Sequence, residues 1–76
     1  MENAGYEIVC FEKYQTLENG SCYYIVLGQN PKSNMWVTWD SIDLKNFFWG
    51  HYYDCENHAR IDYHQRLAYQ IENQAF

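Results

Sequence analysis

Residues 22–28 are Cys-Tyr-Tyr-Ile-Val-Leu-Gly, a nearly continuous run of β-branched and aromatic side chains. Such a run is typical of a β-strand. The pair Asn19-Gly20 stands just before it and favours the positive φ angles that both central positions of a type I′ hairpin turn require. A two-residue turn there would pair this strand with an earlier one over residues 6–14, so that Glu12 faces Leu27.

Two further strands follow a loop that contains the single proline of the chain, Pro31. We predict the third strand at residues 35–40, where apolar side chains alternate with others. A polar turn over residues 40–43 follows it. The fourth strand is predicted at residues 46–53, and Gly50 inside it indicates a bulge or a close backbone approach.

The last third of the chain changes to a helical pattern. Asp54 is suited to the N-cap, and the helix is predicted over residues 55–72 before it frays into residues 73–76. Apolar residues recur at intervals of four, which is the pattern of one buried helix face. The residues of that face are Ala59, Tyr63, Leu67 and Ile71, with Ile61 and Ala68 widening it.

The predicted architecture is a single α+β domain over residues 1–76. It is a four-stranded antiparallel meander with one C-terminal helix packed on one face, because two layers are the minimum that can enclose a core. A chain of 76 residues buries only roughly 63% of the surface that its unfolded form exposes, so its net stability is expected to be low.

Aromatic residues are in excess of what one helix can cover. The chain has three tryptophans, eight tyrosines and four phenylalanines. Some rings are therefore expected on the open face of the sheet, where a ring cluster would form an association surface. The alternative is that tyrosines cover this face with their hydroxyls in water. The residues predicted to contact a partner are Trp36, Trp39, Trp49, Tyr23, Tyr24, Asp40 and Asp43.

The charge balance limits the classes of partner. Ten Asp and Glu stand against five Lys and Arg, for a formal charge of −5. A nucleic-acid binder needs a basic patch to neutralise phosphates, and an anionic membrane surface repels an acidic chain. We therefore expect no direct nucleic-acid or membrane binding, and a protein partner or a second copy of the chain.

The leading functional hypothesis is a small acidic binding module that has no catalytic activity and acts by surface contact. In size and charge the chain also resembles small acidic inhibitors carried by phages and mobile elements, including anti-CRISPR and DNA-mimic proteins. No motif carries this resemblance. It implies the alternative function, inhibition of a nucleic-acid-handling enzyme by acidic mimicry.

A third class, a small Cys/His enzyme or metal-dependent domain, rests on residues near the start of the helix. Cys55, His58 and Asp62 have spacings that place them on one helix face, and His51 precedes them by four residues. Zinc accepts all three ligand types, and a thiol beside a histidine is a potential nucleophile. The spacing matches no paired Cys-x-x-Cys pattern, and no glycine-rich phosphate loop is present. We therefore predict no catalytic residue, metal or cofactor.

Cysteine usage and the first residues predict a cytoplasmic protein. The three cysteines, Cys10, Cys22 and Cys55, are odd in number and lack paired spacing, which favours reduced thiols. The first residues have neither the basic nor the apolar region of a signal peptide.

Overall fold

The fold is an antiparallel five-stranded sheet followed by one helix, in a computed structural model that describes residues 1–73. Strands adjacent in sequence are adjacent in the sheet. The α+β class, the antiparallel meander and the C-terminal helix are therefore confirmed. The predicted fraying covers residues 73–76: Asn73 still belongs to the helix, and residues 74–76 lie outside the described part. The elements are β1 (Glu2–Asn3), β2 (Tyr6–Thr16), β3 (Cys22–Gln29), β4 (Trp36–Ile42), β5 (Asn46–Tyr53) and α1 (Glu56–Asn73).

The strand that the sequence pattern missed is β1, which pairs with the beginning of β2. Asn3 lies opposite Tyr6, so Ala4 and Gly5 make the reversal, with φ angles of 52° and 83°. Glycine adopts positive φ readily, whereas alanine rarely does. Only one of the two turn positions therefore has the glycine that would indicate a reversal in the sequence. Four strands were predicted, and five are found.

The hairpin between β2 and β3 has a different turn from the predicted type I′. The Leu17 amide donates to the Ser21 carbonyl at 2.7 Å, and the Gly20 amide donates to the Leu17 carbonyl at 2.9 Å. Gly20 has a φ of 91°, while Asn19 has no positive φ. This is the three-residue loop in which a turn is followed by a left-handed glycine. The Asn19 side chain accepts a hydrogen bond from the Ser21 amide, which supports this geometry.

The predicted register of that hairpin is consequently wrong. Glu12 lies opposite Ile25, and Leu27 lies opposite Cys10. The longer loop shifts the pairing, and two irregularities in β2, one after Ile8 and one after Lys13, shift it again. Each bulge inserts one residue on one strand only, so a single turn cannot determine the register of the whole strand.

The predicted polar turn at residues 40–43 is also wrong in its extent. Asp40 and Ser41 belong to β4 and pair with β5. The reversal is made by Asp43 and Leu44, whose φ angles are 56° and 55°. Asp40 remains in the strand because its carboxylate is paired inside the protein with Arg66.

Helix α1 agrees with its predicted bounds, but its buried face is narrower than predicted. Successive residues are about 100° apart on a helix, so a four-residue repeat drifts by about 40° at each step. Ile71 has drifted away from the sheet and is 51% exposed, and Ile61, almost opposite Ala59, is 54% exposed. Ala68 is exposed as well. The buried residues of α1 are Ala59, Tyr63 and Leu67.

Within residues 1–73, no helix is long and apolar enough to cross a membrane.

Each face of the sheet has its own apolar core. Between sheet and helix lie Ile25, Leu27 and Trp36 with the three buried helix residues. On the other face, Val26, Val37 and Trp39 are buried beneath partly buried rings and aliphatic side chains. Trp36 and Trp39 therefore lie on opposite faces, as strand alternation predicts. The residues packed over the second core are Tyr6, Ile8, Tyr24, Leu44 and Phe47.

The sequence predicted a cluster of uncovered rings on the open face of the sheet, but this second core buries or partly buries most of them. The ring of Trp39 is 4% exposed although no helix covers it. Its shelter comes from edge-to-face contacts with Tyr6 and Phe47, at centroid distances of 5.8 Å and 5.3 Å. Most rings of the open face thus pack against one another. Among the described residues, the exposed large rings are Phe11, Trp49, Tyr52 and Tyr69.

Candidate functional site

Two of these exposed rings line the same cleft, between strand β5 and helix α1. The cleft has a volume of about 520 Å³. Trp49 and His51 come from β5, and Arg66 and Tyr69 come from α1. Asp40 of β4 also lines it, together with Gln65 and Gln70. The helix and the edge strand form its two sides.

A bulge in β5 places Trp49 in this cleft. Thr38 pairs with His51 and Asp40 pairs with Phe48, so that Trp49 and Gly50 together lie opposite one residue of β4. The bulge predicted at Gly50 is therefore confirmed. Trp49 adopts a φ of 54°, a value that is a genuine outlier for a bulky side chain. Its indole is 68% exposed.

Gly50 allows the bulge to pack closely against the neighbouring strand. A Cβ atom at this position would lie 2.8 Å from Nε1 of Trp39 and 3.1 Å from Cε1 of Tyr52. Real Cβ atoms essentially never lie within 3.0 Å of another atom, and 3.1 Å is tighter than nine in ten real Cβ contacts. A side chain at position 50 would therefore require Trp39 to move, and the residue with the positive φ in this bulge is Trp49.

An ion pair between Arg66 and Asp40 lies behind the rings. Nη2 of Arg66 donates to Oδ1 of Asp40 at 2.6 Å, and the two side chains are 12% and 2% exposed. Nη1 of Arg66 donates to the Thr38 carbonyl and hydroxyl oxygens at 3.1 Å and 3.0 Å. The Tyr14 hydroxyl donates to the other oxygen of Asp40 at 3.0 Å. The guanidinium is thus held by partners within the protein.

A second carboxylate, Asp62, completes the network. Its Oδ2 atom lies 3.1 Å from Nδ1 of His51 and 3.9 Å from Nη1 of Arg66, and it accepts a hydrogen bond from the Thr38 hydroxyl. Two carboxylates therefore surround one guanidinium. With His51 neutral, the formal charge of the network is −1.

Two tyrosines beside these carboxylates have raised pKa values. Burial is the main cause of the raised Tyr14 pKa, and the negative charge of Asp40 is the next. Burial likewise raises the pKa of Tyr53, followed by the charge of Asp62. The Tyr14 hydroxyl therefore keeps its proton at neutral pH and remains a hydrogen-bond donor to Asp40.

The residues predicted to contact a partner differ in burial and do not form one surface. Trp36, Trp39 and Asp40 are buried; Asp40 still lines the cleft, whereas Trp36 and Trp39 do not. Trp49 is exposed and lines the cleft. Asp43 is exposed, but its carboxylate accepts the Cys22 amide at 2.8 Å, which explains its presence in the turn.

Tyr23 and Tyr24 are half-buried and lie on opposite faces of β3. Tyr23 stacks on Tyr14 at a centroid distance of 5.9 Å, and Tyr24 contacts Phe11 edge-to-face at 5.6 Å. Both rings are thus engaged within the sheet. Desolvation, followed by the neighbouring Cys22, raises the pKa of the Tyr24 hydroxyl.

Tyr69 is a residue of the cleft that the sequence reasoning missed. It was not part of the predicted apolar face of the helix, and it is 63% exposed. A signal was present, because Tyr69 follows Arg66 by three residues and Gln65 by four, and such spacings place side chains on one face of a helix. A ring on the polar side of an otherwise amphipathic helix indicated this second face.

Of the residues considered for metal binding or thiol chemistry, His51 and Asp62 lie 3.1 Å apart, and Cys55 and His58 do not join them. Asp62 is directed to the sheet, whereas His58 is exposed and Cys55 is half-buried. Within residues 1–73, no group of three or more His, Cys, Asp or Glu side chains is placed to hold a metal ion.

The chain matches no protein-family model, and no curated protein or solved structure is significantly similar to it.

Proposed function

We propose that this chain is a small acidic protein-binding module without catalytic activity. In this proposal, an extended segment of a partner protein lies along β5, and the partner's side chains contact the cleft lined by Trp49 and Tyr69. The observation that carries the proposal is the position of Trp49: its large ring is exposed on a backbone that disfavours it.

The energetics of Trp49 support a role in binding. A bulky residue in the left-handed region costs on the order of 1–3 kcal/mol. An indole that is 68% exposed recovers little of this cost by burial. Exposed tryptophan and tyrosine are the residues that most often dominate the binding energy of protein interfaces. Contact with a partner would bury the ring and account for its place in the fold.

The edge of the sheet beside the cleft is suited to strand addition. β5 is the last strand of the sheet, and it contains no proline, Lys, Arg, Asp or Glu. The strand near the opposite edge, β2, carries Glu7, Glu12 and Lys13, and charged side chains on an edge discourage pairing. An extended segment could therefore pair with β5 through main-chain hydrogen bonds.

The three cysteines are free thiols, which supports a reducing compartment such as the cytoplasm.

The test compares two substitutions at exposed rings. Trp49→Gly removes the ring and suits the positive φ, so its free energy of unfolding should stay within about 1 kcal/mol of the wild type or exceed it. Phe11→Ala removes a ring that is exposed on the other face of the sheet. A partner captured from source-cell extract is identified, purified and titrated with each variant. Trp49→Gly should weaken its binding at least tenfold, and Phe11→Ala should not.

Two results would contradict the proposal. One is a purified partner that binds Trp49→Gly as well as it binds the wild type. The other is a wild-type protein that forms a dimer through β5 at micromolar concentration in a sedimentation experiment, because the occupant of the edge would then be a second copy of the chain.

The second candidate function, acidic mimicry, is supported by the pairing of β1 with β2. Glu2 and Glu7 lie directly opposite each other. Like charges in this arrangement destabilise a sheet, by about 0.2–1 kcal/mol. The same titration at low and high salt separates the candidates. Carboxylate contacts weaken steeply as salt is added, and ring contacts do not. Strong salt dependence that is insensitive to Trp49→Gly would favour mimicry of a nucleic acid.

A further inference from the structure

We infer that the cleft between β5 and α1 binds a cationic side chain, an arginine of the partner segment, between the rings of Trp49 and Tyr69. This inference rests on the proposed function and names the chemistry of the group that fills the site.

The rings and the size of the cleft suit a planar cation. Trp49 and Tyr69 reach the cleft from a strand and from the helix, and both are exposed. The volume of about 520 Å³ lies within the range of pockets that hold small ligands. A guanidinium is planar and stacks on aromatic faces, and tryptophan is the best aromatic partner for a cation.

The charges around the cleft favour a cation over an anion. The network of Asp40, Asp62 and Arg66 has a formal charge of −1, and the whole chain has a charge of −5. Arg66 is held by Asp40 and by the two oxygen atoms of Thr38. An anionic ligand would have to compete with these contacts beside Asp40, which lines the cleft, and near Asp62, which lies behind it. A cationic ligand breaks none of these contacts. It is repelled by Arg66, which lines the cleft as well, but the network carries one more carboxylate than guanidinium.

An uncharged apolar side chain would use the rings but not the charge. Tyr69 and Trp49 would contact a leucine side chain as they contact the methylenes of an arginine. The excess carboxylate charge behind them would contribute nothing to the binding of leucine. The distinguishing feature of the site is therefore a dependence of affinity on the positive charge of the ligand.

The experiment uses four blocked peptides, acetyl-Thr-Val-X-Val-Thr-amide, in which X is arginine, citrulline, leucine or glutamate. Citrulline is a neutral analogue of arginine with nearly the same shape. Binding to the whole chain is followed by the shift of the Trp49 indole N–H resonance, which is assigned by its loss in Trp49→Gly. The arginine peptide should bind more tightly than the citrulline peptide by about 2- to 30-fold, the range expected for a cation–π contact.

Variants locate the effect. Tyr69→Ala should reduce the preference for the arginine peptide over the citrulline peptide below that of the wild type, because it removes one of the two rings that hold the cation. Phe11→Ala, on the other face of the sheet, should preserve the preference for arginine. Equal affinities of the wild type for arginine and citrulline would overturn the inference, as would tighter binding of leucine or glutamate.

The two proposals fail in different ways. If no peptide binds while a purified partner still depends on Trp49, the cationic ligand is wrong and the binding module stands. If the partner ignores Trp49→Gly, the binding module is wrong as well, whatever the peptides do.

Discussion

Replacement of Arg66 by methionine should destabilise this protein severely. The substitution leaves Asp40, whose side chain is 2% exposed, without the guanidinium that donates to it at 2.6 Å. Removing one partner of a buried ion pair costs about 3–5 kcal/mol, because the other charge stays desolvated. A chain of 76 residues has a total stability of roughly 4–11 kcal/mol. The variant should therefore lose a large part of its free energy of unfolding.

The measurement is an equilibrium urea titration followed by circular dichroism, with linear extrapolation to water. Arg60→Met is the matched control. Arg60 pairs with Glu56 on the helix surface, where the side chains are 42% and 48% exposed, and its loss should cost about 1 kcal/mol or less. An unchanged denaturant dependence in both variants would show that the two-state comparison is valid.

A double-mutant cycle isolates the ion pair. Asp40→Asn keeps an oxygen that accepts the Tyr14 hydroxyl but removes the negative charge. The double variant Asp40→Asn/Arg66→Met should lose less stability than the sum of the two single losses, by about 1–3 kcal/mol. The reasoning is refuted if Arg66→Met costs no more than Arg60→Met, or if the single losses simply add.

Three further predictions use the same titration. Gly50→Ala should lower the free energy of unfolding by about 1–3 kcal/mol, because its Cβ would lie 2.8 Å from Trp39; wild-type stability would show that the bulge can relax. Leu67→Ala should lower the free energy of unfolding by about 2–5 kcal/mol, whereas Ile71→Ala should change it by no more than about 0.5 kcal/mol. Equal losses would contradict the assignment of the buried face of α1. The pKa of Tyr14 is raised above its usual value of 10.0, first by burial and then by the charge of Asp40. Its stabilising contribution is therefore complete below pH 10 and is lost as the pH rises further, with a slope of at most about 1.4 kcal/mol per pH unit. Tyr14→Phe should flatten the decline of stability above pH 10, and an unchanged slope would contradict this assignment.

Local patterns in the sequence predict most elements of this fold. The dense β-branched and aromatic run at residues 22–28 corresponds to β3, and the repeat of apolar residues in the last third corresponds to α1. The bulge at Gly50 was also predicted. Alternation and helical periodicity depend on the geometry of a few neighbouring residues, which is why they survive in the folded chain.

The register of the strands and the geometry of the turns were harder to predict from the sequence. The two irregularities in β2 and the reversal at Ala4-Gly5 carry no distinctive residue pattern. A positive φ at alanine or tryptophan is imposed by the strands that flank it, and local preference opposes it. Such features follow from pairing between strands. Sequence reasoning therefore missed β1 and predicted one turn type, one turn extent and one register incorrectly.

The sequence by itself determined the order of the strands and the helix, the excess of rings and the acidic charge. Only the tertiary structure decided which rings remain exposed and which carboxylates are buried. In the sequence, Asp40 at the end of a strand is typical of a turn residue. In the structure it pairs with Arg66 of helix α1, which is 26 positions away in the chain. In the sequence, Trp49 is typical of any aromatic residue in a strand. In the structure it lies in a bulge beside Gly50, whose free space is occupied by Trp39. Both outcomes depend on contacts between distant residues, and no local preference encodes such contacts.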